Sequence, residues 1–324
     1  MPLSDAALRQ ALNHPLTATD FPQLGKKYEG KVRDNYTLPD GRRVIIVTDR
    51  ISAFDRVLGT LPLKGQLLNR IAAWWFEQSK HVADNHLISV PDANAMLVKE
   101  CTPLPVEMVV RAYLTGTTST SIWVHYEEGA RTFCGHDLPE GLRKHERLPK
   151  PIITPSTKAA KGGHDVSASR EEILKLTGMA AAEFDEAAAM AQALFAFGQK
   201  VCDERGLILV DTKYELGRTA DGKLVLIDEI HTPDSSRYWF KDSYEQKMSA
   251  GEDPESFDKE HVRRFLAAQG FRGDGPIPPI PDDVRMEASR RYCVAIETIM
   301  AAPFEPDLEA PGPRLAKHLA PLGA

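Results

Sequence analysis

The run Leu207-Ile208-Leu209-Val210-Asp211-Thr212-Lys213-Tyr214-Glu215-Leu216, with its return Leu224-Val225-Leu226-Ile227-Asp228, decides how the rest of the chain is read. Four apolar residues mark a buried strand, Ala220-Asp221-Gly222 is turn chemistry, and Leu224 to Ile230 reads as the returning strand. Side chains on a strand alternate faces, so Asp211, Lys213 and Glu215 share one face. The return strand delivers Asp228 after a second apolar run. Charges at the ends of apolar strands are rarely buried without partners. Two converging carboxylates suit Mg²⁺, which takes one or two carboxylates and keeps waters or phosphates elsewhere. Lys213 between them offsets charge or reaches a phosphate. A solvated hairpin with cross-strand ion pairs accounts for the same pattern.

Outward from this hairpin, Thr232-Pro233-Asp234-Ser235-Ser236-Arg237 gathers hydroxyls, an acid and an arginine into one loop. Arginine offers a bidentate fork for phosphate, although a Pro-Asp turn with a solvated arginine has the same sequence. Upstream, Glu183 to Glu204 reads as a helix whose Ala187, Met190, Ala191, Leu194, Phe197 and Val201 form a core stripe. From Cys134 to Ser169 the chain is rich in Gly, Pro, His and Lys and reads as a long loop. Within it, Thr154-Pro155-Ser156-Thr157-Lys158 and Gly162-Gly163-His164-Asp165 suit a substrate loop or a plain surface loop. Val106 to Tyr113 reads as a strand that places Arg111 at the end of an apolar run. Gly116-Thr117-Thr118 then opens a helix expected over Thr117 to Glu128. Hydroxyls at a helix N-terminus beside an arginine make a phosphate pocket; an ordinary N-cap explains them too.

The N-terminal part holds another expected hairpin, Lys27 to Leu38 and Arg43 to Thr48, around the turn Pro39-Asp40-Gly41. Its first strand begins Glu29-Gly30-Lys31-Val32-Arg33-Asp34, a glycine followed by alternating cations that suits a nucleotide's phosphates or a solvated face. It is neither a P-loop nor a dinucleotide fingerprint. An irregular stretch with Ile51-Ser52-Ala53-Phe54-Asp55 follows, then a helix carrying Leu67, Leu68, Ile71, Trp74 and Trp75. A strand is expected at Met96 to Glu100, and helices at Ala6 to Asn13, Pro254 to Ala268 and Asp282 to Met300. The Pro-rich tail from Pro303 is ordered only where it docks.

The chain has 324 residues, which suggests about two domains. Lys and Arg number 40 against 46 Asp and Glu, a net charge of −6 that disfavours non-specific nucleic-acid binding. The four cysteines are dispersed, so neither a zinc ribbon nor a redox pair is present, and a reducing, cytoplasmic compartment is expected. Apolar runs such as Val44-Ile45-Ile46-Val47 are strand-length, and no membrane span or signal peptide is expected.

Taken together these segments resemble the phosphoribosylaminoimidazole-succinocarboxamide synthases, the SAICAR synthetases. The matching stretches are Gly30-Lys31-Val32-Arg33-Asp34, Thr48-Asp49-Arg50-Ile51-Ser52-Ala53-Phe54-Asp55, Val109-Val110-Arg111 and Thr154-Pro155-Ser156-Thr157-Lys158. They continue with Val210-Asp211-Thr212-Lys213-Tyr214-Glu215 and Asp228-Glu229 through Thr232-Pro233-Asp234-Ser235-Ser236-Arg237, in the family's order, from about Gly30 to Trp239. The extended Thr-Pro-Ser-Thr-Lys loop resembles the family's longer branch.

The resemblance implies an α+β fold, with an N-terminal antiparallel β domain similar to a kinase small lobe. A second α+β domain is similar to ATP-grasp enzymes, and ATP lies in the cleft between the two. The expected parts are an extension over residues 1–24, a nucleotide-covering domain over 25–110, a substrate and metal domain over 111–302, and a tail over 303–324. The implied activity is ATP-dependent joining of L-aspartate to carboxyaminoimidazole ribonucleotide (CAIR), giving SAICAR, ADP and phosphate in purine biosynthesis. On the family's motifs, Gly30, Lys31, Val32 and Arg33 cover the ATP phosphates, and Leu104 to Glu107 meets adenine. Glu215 and Asp228 hold Mg²⁺, with Lys213, Asp211 and Lys31 in catalytic support. Arg111, Thr117 and Arg237 hold the ribonucleotide's phosphate. Ser52 and Asp55 contact the imidazole substrate, and Lys158 and Asp165 its carboxylate end or a second metal. Implied partners are small molecules only, with a monomer or small homo-oligomer. A small-molecule kinase using the same ATP cleft is the competing enzyme reading, and a non-catalytic nucleotide-binding protein the third.

Overall fold

A computed structural model describes residues 3–53, 56–117, 120–158, 166–257 and 260–323. Two antiparallel sheets organise them. The first has five strands in the order Lys26–Glu29, Arg33–Thr37, Arg42–Val47, Ala95–Lys99, Leu87–Asp92. Val44 and Ile46 face one side of it, where Leu16, Phe21, Leu24 and Tyr36 pack, while Ile45 and Val47 join the larger core on the other. That is the period-two alternation of a sheet buried on both faces.

The second sheet is built on the long strand Leu207–Arg218. Thr102–Tyr113 and Leu224–Ile227 pair with it antiparallel, and Ser236–Phe240 pairs with its N-terminal half. The helix Ala181–Glu204 lies on this sheet with Ala187, Ala191, Leu194 and Phe195 buried. Close approach there requires glycine: a Cβ on Gly198 would stand 2.3 Å from Cε1 of His231. The sheets meet at a seam, where Leu226 N donates to Asp84 O at 3.0 Å and His86 N to Leu226 O at 3.1 Å. The helices Lys64–Gln78 and Asp282–Met300 pack together beside it, burying Leu67, Ile71, Trp75, Tyr292 and Ile296.

Several sequence expectations are corrected. The single strand expected over Lys27 to Leu38 is itself a hairpin, because the chain reverses at Gly30-Lys31-Val32 and pairs Glu29 with Asp34. The irregular stretch after the first sheet contains the ribbon Arg50–Ala53 and Arg56–Thr60. The helix expected from Thr117 starts at Ile122, since Gly116 takes φ 111 and Ser121 is the N-cap. Of the helix expected from Pro254, residues 254–257 are not helical and the described helix is Glu260–Ala268.

The loop expected from Cys134 to Ser169 holds the strand Arg147–Ile153, paired with Thr102–Tyr113 through a register shift. Pro149 and Pro151 hide its periodicity, as prolines do on sheet edges. A boundary at residue 110 falls inside the continuous strand Thr102–Tyr113; the chain changes sheet between Lys99 and Thr102. The tail forms the helix Pro311–Leu319, which inserts Leu315 and Leu319 against Leu16 and Val44. Among the described residues no helix is long and apolar enough to cross a membrane.

Candidate active site

A cavity of about 560 Å³ opens between the two sheets. Gly30, Lys31, Val32, Arg33, Asn35 and Ile45 form the wall from the first sheet. Lys213, Glu215, Ile227, Asp228 and Glu229 form the wall from the second. Ser52 and Lys158 line it as well, and His86, Lys99, Cys101 and Pro103 close it along the crossing between the sheets. The sequence places these groups in segments separated by more than a hundred residues; the fold brings them to one space.

Charges in this space are paired, as burial requires. Lys213 Nζ lies 2.6 Å from Glu107 Oε1 and 2.8 Å from Glu215 Oε1. Lys158 Nζ takes the other Glu215 oxygen at 2.5 Å. Burial opposes ionisation of Glu215, but Lys213 and Lys158 outweigh it and hold the carboxyl well below its ordinary range. Lys213 is held charged by Glu215 and Glu107 against the same burial.

Arg33 crosses the cleft, with Nη1 3.2 Å from Asp228 Oδ2 and Nη2 2.7 Å from Glu229 Oε2. Asp228 is pushed up to about 6, because burial and the nearby Glu215 and Glu229 outweigh Arg33. A carboxyl raised by carboxylates beside it stands where a divalent cation relieves the repulsion.

The donor set fits Mg²⁺. Glu215 and Asp228 line one cavity and feel each other's charge. Among the described residues no three His, Cys, Asp or Glu side chains cluster as a metal site. Two carboxylates completed by waters and phosphates is the usual Mg²⁺ arrangement.

Asp211 departs from the role expected for it. Alternation does put it on the face of Lys213 and Glu215, but register sets it opposite Arg111 on one side and Arg237 on the other. Its Oδ2 accepts from Arg111 Nη1 at 3.2 Å and from Arg237 Nη1 at 3.0 Å. Arg111 Nε also donates to Thr154 Oγ1 at 2.8 Å. Asp211 thus neutralises an arginine pair rather than facing the Glu215–Asp228 carboxylates. Arg237 and Thr117 line a second cavity of about 210 Å³ with Lys144, His145, Arg263 and Arg264. Asp253 stands on the same lining, 3.1 Å from Lys144 and 2.8 Å from His145, and the three arginines are the groups that suit a phosphate.

Other expected residues fall differently. Leu104 is buried in the core, and the cleft is lined instead by Cys101 and Pro103 of the same crossing. Glu107 serves as a partner of Lys213. Asp55 and Asp165 lie outside the described residues.

Sequence reasoning assigned no role to Glu229, the second carboxylate on Arg33. Alternation would turn it away from Asp228, but Asp228 adopts φ 65 and breaks the strand there. Nor did it find the support of the Thr232 to Arg237 loop. Asp234 accepts from Lys64 Nζ at 2.7 Å and from Tyr292 Oη at 2.7 Å, which ties that loop to the helices Lys64–Gln78 and Asp282–Met300.

A sequence model of the SAICAR synthetase family matches residues 26–275. A putative phosphoribosylaminoimidazole-succinocarboxamide synthase 2 of Mesorhizobium japonicum is 50% identical over 288 residues, 89% of this chain and 92% of that protein. The phosphoribosylaminoimidazole-succinocarboxamide synthase of Legionella pneumophila strain Lens is 45% identical over 300 residues, 92% of this chain and 94% of its own. Among solved structures, the SAICAR synthase of Saccharomyces cerevisiae complexed with SAICAR superposes with a TM-score of 0.77 at 29% identity. The match covers 90% of this chain and all of that one.

Proposed function

This chain belongs to the SAICAR synthetase family, ligases of purine biosynthesis, and we propose that its two cavities divide the substrates of that reaction between them. The cleft between the sheets takes ATP with Mg²⁺. The cavity at Arg237 takes the phosphate end of the imidazole ribonucleotide. The observation that carries this reading is the meeting of the Gly30–Arg33 turn with Glu215 and Asp228 across one cavity.

The chemistry follows from the groups present. A carboxylate is a poor electrophile, so the CAIR carboxylate first attacks the γ-phosphorus of ATP; an acyl phosphate forms and ADP leaves. The aspartate amine then attacks the acyl carbon, the amide bond forms, a proton is lost from nitrogen, and inorganic phosphate departs. Phosphoryl transfer depends on positioning and charge stabilisation more than on a covalent group. Lys31, Arg33 and Lys213 supply fixed positive charge along the cleft. Lys158, which pairs with Glu215 in the cleft, would meet the carboxylate end of CAIR. Glu215 and Asp228 would hold Mg²⁺, which neutralises phosphate charge when bound. Arg111 and Arg237, held by Asp211, orient the ribonucleotide from its phosphate.

Purified protein supplied with ATP, CAIR and L-aspartate tests the reading. ADP release that requires aspartate, together with a new amide, supports the ligase. Stable passage of phosphate to a hydroxyl acceptor would instead establish the kinase alternative, which the family does not favour.

A further inference from the structure

The turn joining Lys26–Glu29 to Arg33–Thr37 has all three of its peptide oxygens held from one side. Arg50 donates from Nη2 to Gly30 O and from Nε to Lys31 O, each at 3.0 Å. Thr48 donates twice to Val32 O, from its backbone N at 3.0 Å and from Oγ1 at 2.8 Å. In a trans peptide the N–H points opposite to the C=O. The N–H groups of Lys31, Val32 and Arg33 therefore face away from Arg50 and Thr48. Gly30 to Arg33 line the cleft, whereas Arg50 and Thr48 are buried behind the turn.

Arg50 is itself locked in place. Its Nη1 donates to Thr17 O at 2.5 Å and its Nη2 to Asp34 Oδ1 at 2.9 Å. With the two turn carbonyls, four of the guanidinium's five N–H groups are engaged. Asp34 also accepts from Thr19 N at 2.8 Å and pairs with Lys27 at 3.1 Å. This planar fork reads two successive carbonyls at once, which a lysine cannot do.

We propose that Arg50 is a positioning residue for nucleotide binding. It fixes the Gly30–Arg33 turn so that the turn's amides and the side chains of Lys31 and Arg33 are preset for phosphate. The inference rests on the reading of this turn as the phosphate-covering element. Arg50 does not touch the ligand; it removes the ordering that binding would otherwise require. Successive amides aimed into one concavity bind anions well only while the backbone is held.

The test compares Arg50→Lys, Thr48→Val and Lys31→Ala in the full chain, each checked for folding by a thermal melt. Dissociation constants for MgADP are measured by calorimetry, and KM for ATP, CAIR and L-aspartate by turnover. Arg50→Lys is expected to weaken MgADP and raise KM for ATP about tenfold, leaving KM for CAIR and aspartate within about twofold. Thr48→Val moves the same two constants the same way by about threefold, and decides the matter if Arg50→Lys does not fold. Unchanged MgADP affinity in Lys31→Ala would overturn the phosphate-covering turn itself. Weakened binding in Lys31→Ala beside wild-type binding in folded Arg50→Lys or Thr48→Val overturns the role of Arg50 alone. Equal weakening toward all three substrates also overturns it, because a general structural defect would not single out the nucleotide.

Discussion

Arg33 on the first sheet and Asp228 on the second form an ion pair across the cleft, with Nη1 3.2 Å from Oδ2. The pair joins segments 195 residues apart in sequence. It balances charge across the cleft; on the proposed reading, a magnesium nucleotide would give carboxylate and guanidinium better partners in metal and phosphate. Asp228→Asn keeps the shape and removes the charge. It is expected to lower kcat by about 100-fold or more, the scale of losing one preorganised electrostatic contact. Its melting temperature should stay within a few degrees, because the substitution also relieves repulsion from Glu215 and Glu229. Steady-state turnover against Mg²⁺ concentration, with a melt as control, checks this; unchanged turnover would refute the metal role.

Asp211 gives a test of the proposed division of substrates between the two cavities. Because it binds Arg111 and Arg237, Asp211→Asn should disturb the ribonucleotide end of the site. KM for CAIR is expected to rise about tenfold, the consequence of loosening two charge-assisted hydrogen bonds. KM for ATP should stay within about twofold. Substrate titrations of the variant decide it: a shift in the ATP constant alone would return Asp211 to the metal end of the cleft.

The second hairpin was legible in the sequence because its chemistry is local. Apolar runs set its strands, period two set its face, and Ala220-Asp221-Gly222 set its turn. What alternation cannot show is which neighbour stands opposite. Asp211 and Lys213 share a face, yet pairing with Thr102–Tyr113 and Ser236–Phe240 sends one to the arginines and the other to the carboxylates. Glu229 was hidden by the left-handed backbone at Asp228. The reversal at Gly30 to Val32 was hidden for another reason, since its carbonyls are satisfied by Arg50 and Thr48, partners that the local sequence does not show. The partners of Asp211 and the reversal at Gly30 are long-range hydrogen bonds overriding a local pattern, whereas Glu229 is turned by a local backbone conformation that the residue types do not announce.

The docked tail gives a stability prediction. Arg314 is 2% exposed and its guanidinium reaches both oxygens of buried Asp92 and the side chain of Asn94. Removing Arg314 leaves buried Asp92 only its contacts with Asn94 N and His318 Nδ1, each at 2.8 Å, and breaking a buried pair from one side costs about 3–5 kcal/mol. Arg314→Met should therefore lower stability by that order in urea unfolding while leaving KM values near those of the parent, since the helix Pro311–Leu319 packs on the outer face of the first sheet. Loss of less than about 1 kcal/mol would show that the tail is not held by this pair.

Asp34 beneath the Gly30–Arg33 turn makes the fold sensitive to acid. Burial opposes its ionisation, but hydrogen bonds from Arg50, Thr19 and Lys27 outweigh burial and hold the carboxyl below its ordinary range. A carboxyl whose folded value is depressed binds protons more weakly than in the unfolded chain. Its contribution is thus complete above the unfolded value of about 4 and is lost as pH falls through the folded value. Asp34→Asn leaves Arg50 buried without its anion and should be destabilised by about 3 kcal/mol at pH 6. Below about pH 4 the parent loses this share and the variant does not, so the gap between them should narrow. Urea unfolding of both proteins from pH 6 to pH 3 measures it, and a gap that stays constant across that range would show that Arg50 does not depend on the Asp34 charge.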